Sequence, residues 1–174
     1  MPYADILSAK TLVLGCGNPL FGDDGFGPAV IEALENASSL PEGCVVLDAG
    51  TSVREILFDI CVSPEAPDRV IVVDAHHEPG CEPGRIREIG VEGLAHAKLS
   101  DFSMHQFPTM NLLAEFAGKT GKEVRVFVAQ TCGAPDSMAP GMSPAVEAAV
   151  GRMARFLLKL IHDPKTQSKE MEEE

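Results

Sequence analysis

Apolar, β-branched runs recur along this chain at Leu12–Leu14, Cys44–Leu47, Val70–Val73 and Val124–Ala129. Between and after them lie helix-like stretches at Pro28–Glu35, Val53–Cys61, Phe107–Ala117 and Ala145–His162. Parallel strands cannot be joined by tight hairpins and need crossover connections, usually helices, so this alternation leaves few architectures open. Near-continuous apolar strands also require cover on both faces. The pattern predicts a three-layer α/β/α sandwich around a mostly parallel, twisted sheet of about five strands. The stretch from Glu78 to Ser100 breaks the rhythm, being rich in Pro, Gly and charge. Within it Arg85-Ile86-Arg87-Glu88-Ile89 alternates like an exposed strand, and reads as one antiparallel edge strand in an insertion. Residues 1–163 are expected to form a single domain, and 164–174 a polar, acidic, frayed tail.

The totals exclude several classes of function. A chain of 174 residues can bury one sizeable core. Its formal charge of −12 argues against nucleic acid or an anionic membrane as partner. No apolar run approaches the roughly 18 residues of a membrane span. Met1-Pro2-Tyr3-Ala4-Asp5 lacks the basic and apolar regions of a secretory signal, so a cytoplasmic location is expected. The five cysteines are scattered without a CxxC pair, which signals neither a disulfide framework nor a structural zinc site. Cys44 and Cys61 lie in apolar runs and read as small core residues, whereas Cys16 and Cys132 fall at strand ends.

Chemistry-bearing residues collect where strands end. The first strand runs into Gly15-Cys16-Gly17-Asn18-Pro19-Leu20-Phe21-Gly22-Asp23-Asp24-Gly25-Phe26-Gly27, a glycine-rich turn before a helix. A phosphate-binding turn would be free of acids. This one carries two, which repel phosphate and attract a cation. It also has Leu20 where the dinucleotide fingerprint needs its third glycine, so a dinucleotide-binding oxidoreductase is only a weak alternative. One acid suffices as a helix cap, for which Asp23 is the better candidate; Asp24 is then left as a possible ligand. Asp48-Ala49-Gly50-Thr51 follows the second run, and Asp48, Gly50 and Thr51 are candidates for shaping a turn or contacting a polypeptide substrate. Asp74 ends the third run and is followed by His76 and His77, while His105 sits in the loop before Phe107. Two carboxylates and one imidazole from separate loops would make a three-ligand site with open positions, suited to nickel, zinc or manganese. Asp24, Asp74 and His105 are the first choice for it, with His76 and His77 as rivals. A Cys132–His105 nucleophile pair is a further alternative.

These motifs, taken in order, resemble the hydrogenase maturation endopeptidases. The Gly17–Gly27 turn is similar to the signature of that family, although many members carry Glu where this chain has Asp24. Asp48-Ala49-Gly50-Thr51, Val72-Val73-Asp74-Ala75, Ser103-Met104-His105-Gln106 and Pro140-Gly141-Met142-Ser143-Pro144 match four further elements. The likeness spans about residues 11 to 160. The first turn and Met104–Asn111 look most like the branch serving the coenzyme F420-reducing hydrogenase of methanogens.

The resemblance implies an endopeptidase, loosely of aspartic type, that trims the C-terminal extension of a nickel-iron hydrogenase large-subunit precursor after nickel insertion. Asp24, Asp74 and His105 carry over as nickel-recognising and catalytic residues. The nickel would be supplied by the precursor, with no organic cofactor. A non-cleaving nickel or assembly chaperone for the same subunit is the alternative from another class. Whether the nickel or a carboxylate activates the water is open at this point.

Overall fold

A computed structural model describes residues 3–37, 40–90, 107–133, 135 and 137–166. Five strands, β1 (Thr11–Cys16), β2 (Cys44–Gly50), β3 (Arg69–His76), β4 (Ile86–Ile89) and β5 (Glu123–Gln130), form one sheet in the order β2-β1-β3-β5-β4. β1, β2, β3 and β5 run parallel, and β4 runs antiparallel to β5 at the edge. The expected antiparallel edge strand is therefore present, and it occupies Ile86–Ile89.

Alternation along the strands sorts the core into two layers. Val13, Val46, Ile71, Val73, Phe127 and Ala129 face one side, against helices α2 (Phe26–Glu35) and α5 (Pro144–His162). Leu12, Leu14, Val70, Val72, Val126 and Val128 face the other, against α3 (Val53–Val62) and α4 (Phe107–Thr120). This is the three-layer sandwich that the alternation demands. On the first face Phe127 and Phe156 meet edge to face, with ring centroids 5.3 Å apart. Leu157 beside them is wholly buried. Leu157→Ala is expected to lower unfolding free energy by about 2–5 kcal/mol, read from urea melts, through lost apolar contact and a residual cavity.

Two local readings change, and one element is added. A short helix, α1 (Tyr3–Leu7), precedes β1 and buries Ile6 under the second face. Five residues are too few to show helical periodicity in sequence. Cys44 and Cys61 are half-buried rather than core residues. Cys44 opens the edge strand β2, and Cys61 lies in the last turn of α3. Beyond α5 the chain is held as far as Thr166, which is buried and whose carbonyl accepts a bond from Arg125 Nη1 at 3.1 Å. The rest of the expected tail, 167–174, lies outside the described residues.

Strand order places the site. From β1 the chain crosses to β2 on one side, and later to β3 on the other. At such a reversal the crossovers diverge and leave a crevice at the carboxyl ends of the two strands. The first turn follows β1, and Asp74 and Asp48 lie two residues before the ends of β3 and β2.

Candidate active site

The first turn is built by close backbone approach. Gly17 has φ +123°, and a Cβ on it would stand 1.9 Å from the Asp24 carbonyl oxygen. Only glycine lets the chain fold back on itself here. Asn18 then does two jobs. Its Oδ1 accepts the Leu20 N–H at 3.0 Å, an Asx turn, and its own N–H donates to Asp24 Oδ2 at 2.7 Å. A four-residue 3-10 turn, Gly22–Gly25, carries both acids into α2.

The two acids part company, and not in the way the sequence suggested. Asp23 caps neither the 3-10 turn nor α2, since neither start has a side-chain capping bond. It is buried, and its two oxygens accept the N–H of Ser143 at 2.6 Å and the hydroxyl of Ser143 at 3.1 Å. The cap reading fails because a residue at the far end of the chain competes for that carboxylate. Asp24 is half-buried and bonded to Asn18. Burial pushes its carboxyl above the ordinary range, against the opposing pull of the Asn18 N–H.

Asp24, Asp48 and Asp74 all lie around the end of β1: Asp48 and Val73, the neighbour of Asp74, are both in register with Gly15, and Asp24 sits in the turn that follows β1. The Cys16 thiol buried there is pushed well above its usual pKa, first by desolvation and then by the negative charges of Asp74, Asp48 and Asp24. It is therefore a protonated, inert wall of the site rather than a nucleophile. Asp74 is half-buried, and its Oδ1 accepts the Ala75 N–H at 2.8 Å. Asp48 is exposed, and its Oδ1 accepts the Gly50 N–H at 2.9 Å. Gly50, at φ +51°, passes its carbonyl to the Gly17 N–H at 3.1 Å, which ties the end of β2 to the first turn. Thr51 is exposed beside it.

The imidazoles are less gathered. His77 Nδ1 lies 3.0 Å from the Thr131 carbonyl at the end of β5, and His76 is buried. Cys132 is exposed. His105 lies outside the described residues. Among the described residues no three His, Cys, Asp or Glu side chains stand together at metal-binding spacing. Of the three rim aspartates, Asp48 borders a groove of about 410 Å³, with Pro19, Pro28, Ala29 and Met142 among its apolar residues and Glu32 and Glu35 among its other acids. Ser143 and the adjoining groove wall were not singled out as site residues from sequence. Their only signal is the Pro140–Pro144 motif, which does not name its partner.

The chain has known relatives. A family model described as hydrogenase maturation protease, HycI, matches residues 28–160. The chain is 35% identical over 161 residues to the coenzyme F420 hydrogenase subunit delta of Methanothermobacter thermautotrophicus, covering 91% of this chain and 96% of that one. It is 30% identical over 145 residues to the hydrogenase 2 maturation protease of Escherichia coli, covering 81% and 84%. The solved structure of the E. coli hydrogenase maturating endopeptidase HybD superposes with a TM-score of 0.67 at 28% identity, covering 90% of this chain and 94% of that chain. No helix among the described residues is long and apolar enough to cross a membrane. The dinucleotide alternative is set aside, and the chain belongs to the hydrogenase maturation protease family, as a peptidase.

Proposed function

We propose that this peptidase removes the C-terminal extension of a nickel-iron hydrogenase large-subunit precursor once nickel has been inserted. The observation that carries this reading is the placement of Asp24, Asp48 and Asp74 around the end of β1, at the reversal of strand order, with Asp48 bordering a groove. A peptidase needs a place for an extended chain and a group that handles a proton. The groove offers the first and the rim carboxylates the second. Leu20 and Met138, exposed at 47% and 67%, lie on segments that Leu20 O and Ala139 N–H join at 2.9 Å. They give the approach to the rim an apolar border for a polypeptide.

Nickel enters as part of the substrate. Asp24 and Asp74, with His105 from the loop before α4, engage the metal already seated in the precursor, so that only a loaded subunit is held for cleavage. Carboxylate and imidazole donors suit nickel, and an incomplete ligand set leaves room for the precursor's own ligands. The bond is broken by water. The water gives a proton to a rim carboxylate as its oxygen joins the carbonyl carbon, and that carboxyl group returns the proton to the departing amine as the C–N bond opens. A rim carboxylate oxygen left free by the nickel is the proton acceptor, which supports an aspartic-type description.

Incubating the protein with nickel-loaded and nickel-free precursor, then weighing the large subunit, tests the whole reading. Loss of the C-terminal extension from the loaded form alone is expected. An unchanged mass in both would replace the peptidase with a non-cleaving chaperone. His105→Ala is expected to slow cleavage of the loaded precursor by about a hundredfold or more. Near-full activity in that variant would remove the imidazole from nickel recognition.

A further inference from the structure

Asp23 and Asp24 are neighbours in one short turn, yet they face different parts of the chain. Asp24 takes its hydrogen bond from Asn18, inside the turn. Asp23 spends both oxygens on one residue, Ser143, at 2.6 Å and 3.1 Å. Ser143 is the capping residue of α5, with Pro144 in the first turn behind it. Such a serine normally turns its hydroxyl to its own helix. Here no side-chain capping bond is made at that helix start, and the hydroxyl donates to Asp23 instead. The two residues before Ser143, Gly141 and Met142, line the groove. A second tie runs alongside, with Phe21 bridged to Ala139.

We propose that Asp23 is a positioning residue for the cleavage reaction. The Asp23–Ser143 clasp holds the Asp24 carboxylate in fixed register with the groove wall of Gly141 and Met142. This rests on the peptidase reading above and adds to it the device that aligns acid and bound chain. A peptide held by one wall must meet a proton acceptor carried by a different segment, and the clasp is the side-chain link between the two, next to the Leu20–Ala139 backbone bond. Misplacement by about 1 Å can cost a hundredfold in rate, so the link governs turnover more than binding. The strands beneath do not depend on it.

The test uses Asp23→Ala and Asp23→Asn in the full chain, with three readouts: melting temperature, amide exchange at Asn18, and kcat and KM for nickel-loaded precursor. Asp23→Ala is expected to lower kcat at least about tenfold with KM within about threefold, at a temperature where the variant is fully folded. The Asn18 amide, held by Asp24, is expected to exchange at least about tenfold faster while the amide of Val13 in β1 is unchanged. Asp23→Asn keeps an oxygen for the Ser143 N–H and should recover most of both effects. Asn18 exchange in Asp23→Ala within about twofold of the parent would overturn the proposal, as would an unaltered kcat. If the parent chain cleaves no precursor, the peptidase reading fails while the exchange readout still judges the clasp. Should Asp23→Ala not fold, Ser143→Ala, which deletes only the hydroxyl, is judged by a threshold of about threefold in exchange.

Discussion

Asp24→Asn is expected to slow cleavage of nickel-loaded precursor by about a hundred- to ten-thousand-fold, and to do so without weakening the fold. Asparagine is the same size and still offers an oxygen to the Asn18 N–H, so the turn keeps its shape. What it lacks is the negative charge, which serves both as a ligand for the precursor's nickel and as a proton acceptor. Stability should move the other way. Burial raises the Asp24 pKa in the folded chain above its unfolded value. A group raised in this way favours the folded state below the ordinary carboxylate range, and that contribution is lost as pH rises through the folded value. At neutral pH the ionised carboxylate is thus a cost that the asparagine variant avoids. Asp24→Asn is expected to melt at or above the parent at pH 7, with the difference closing as pH falls into the ordinary carboxylate range. Thermal melts across pH, set beside cleavage rates, check both halves. A variant that cleaves at more than about a tenth of the parent rate would remove Asp24 from the chemistry.

Gly27→Ala carries the largest expected effect on stability, at least about 4 kcal/mol, and is expected to leave little soluble protein. A Cβ at this position would stand 2.2 Å from Cys16 O, 2.5 Å from Cys16 N and 2.7 Å from Val73 O. All three atoms are backbone, in the two strands that flank the reversal of strand order, so no side-chain rotation relieves the clash. Gly15 faces the same contact from below, since a Cβ there would meet the Gly27 carbonyl oxygen at 2.5 Å. The start of α2 therefore rests directly on the sheet. Gly118→Ala is the matched control. It lies in α4, is exposed, and a Cβ there would meet nothing within 4 Å. It should stabilise by about 0.5–1 kcal/mol through lost freedom in the unfolded chain. Urea melts of the two variants side by side decide the matter.

The layers, the edge strand and the rim were legible in sequence because each leaves a local trace. Burial on both faces makes β1 and β3 largely apolar, alternation marks β4, and the apolar runs that break at Asp48 and Asp74 lie two residues short of the strand ends. The division of labour between Asp23 and Asp24 left no such trace. A capping aspartate and an aspartate bonded to Ser143 look alike until the fold brings α5 to the turn. The glycines were readable as turn formers, but the close approach of Gly27 to Cys16 and Val73 is a tertiary fact. Cys16 was visible at a strand end, yet its role as a protonated wall under three carboxylates depends on strand order. His105 and the rest of 91–106 remain known only by sequence motif.

The Asp23–Ser143 bond joins positions 120 residues apart. Contacts of such separation form late, because a long loop must close before they repay its entropy. During synthesis β1 and the first turn emerge early, while Ser143 emerges after all five strands. A chain still being made can thus hold Asp24 and Asp74 without yet holding them in working order. Under the clasp proposed above, proteolytic competence arrives with the docking of α5, so the fold itself delays its own chemistry until that helix has been made.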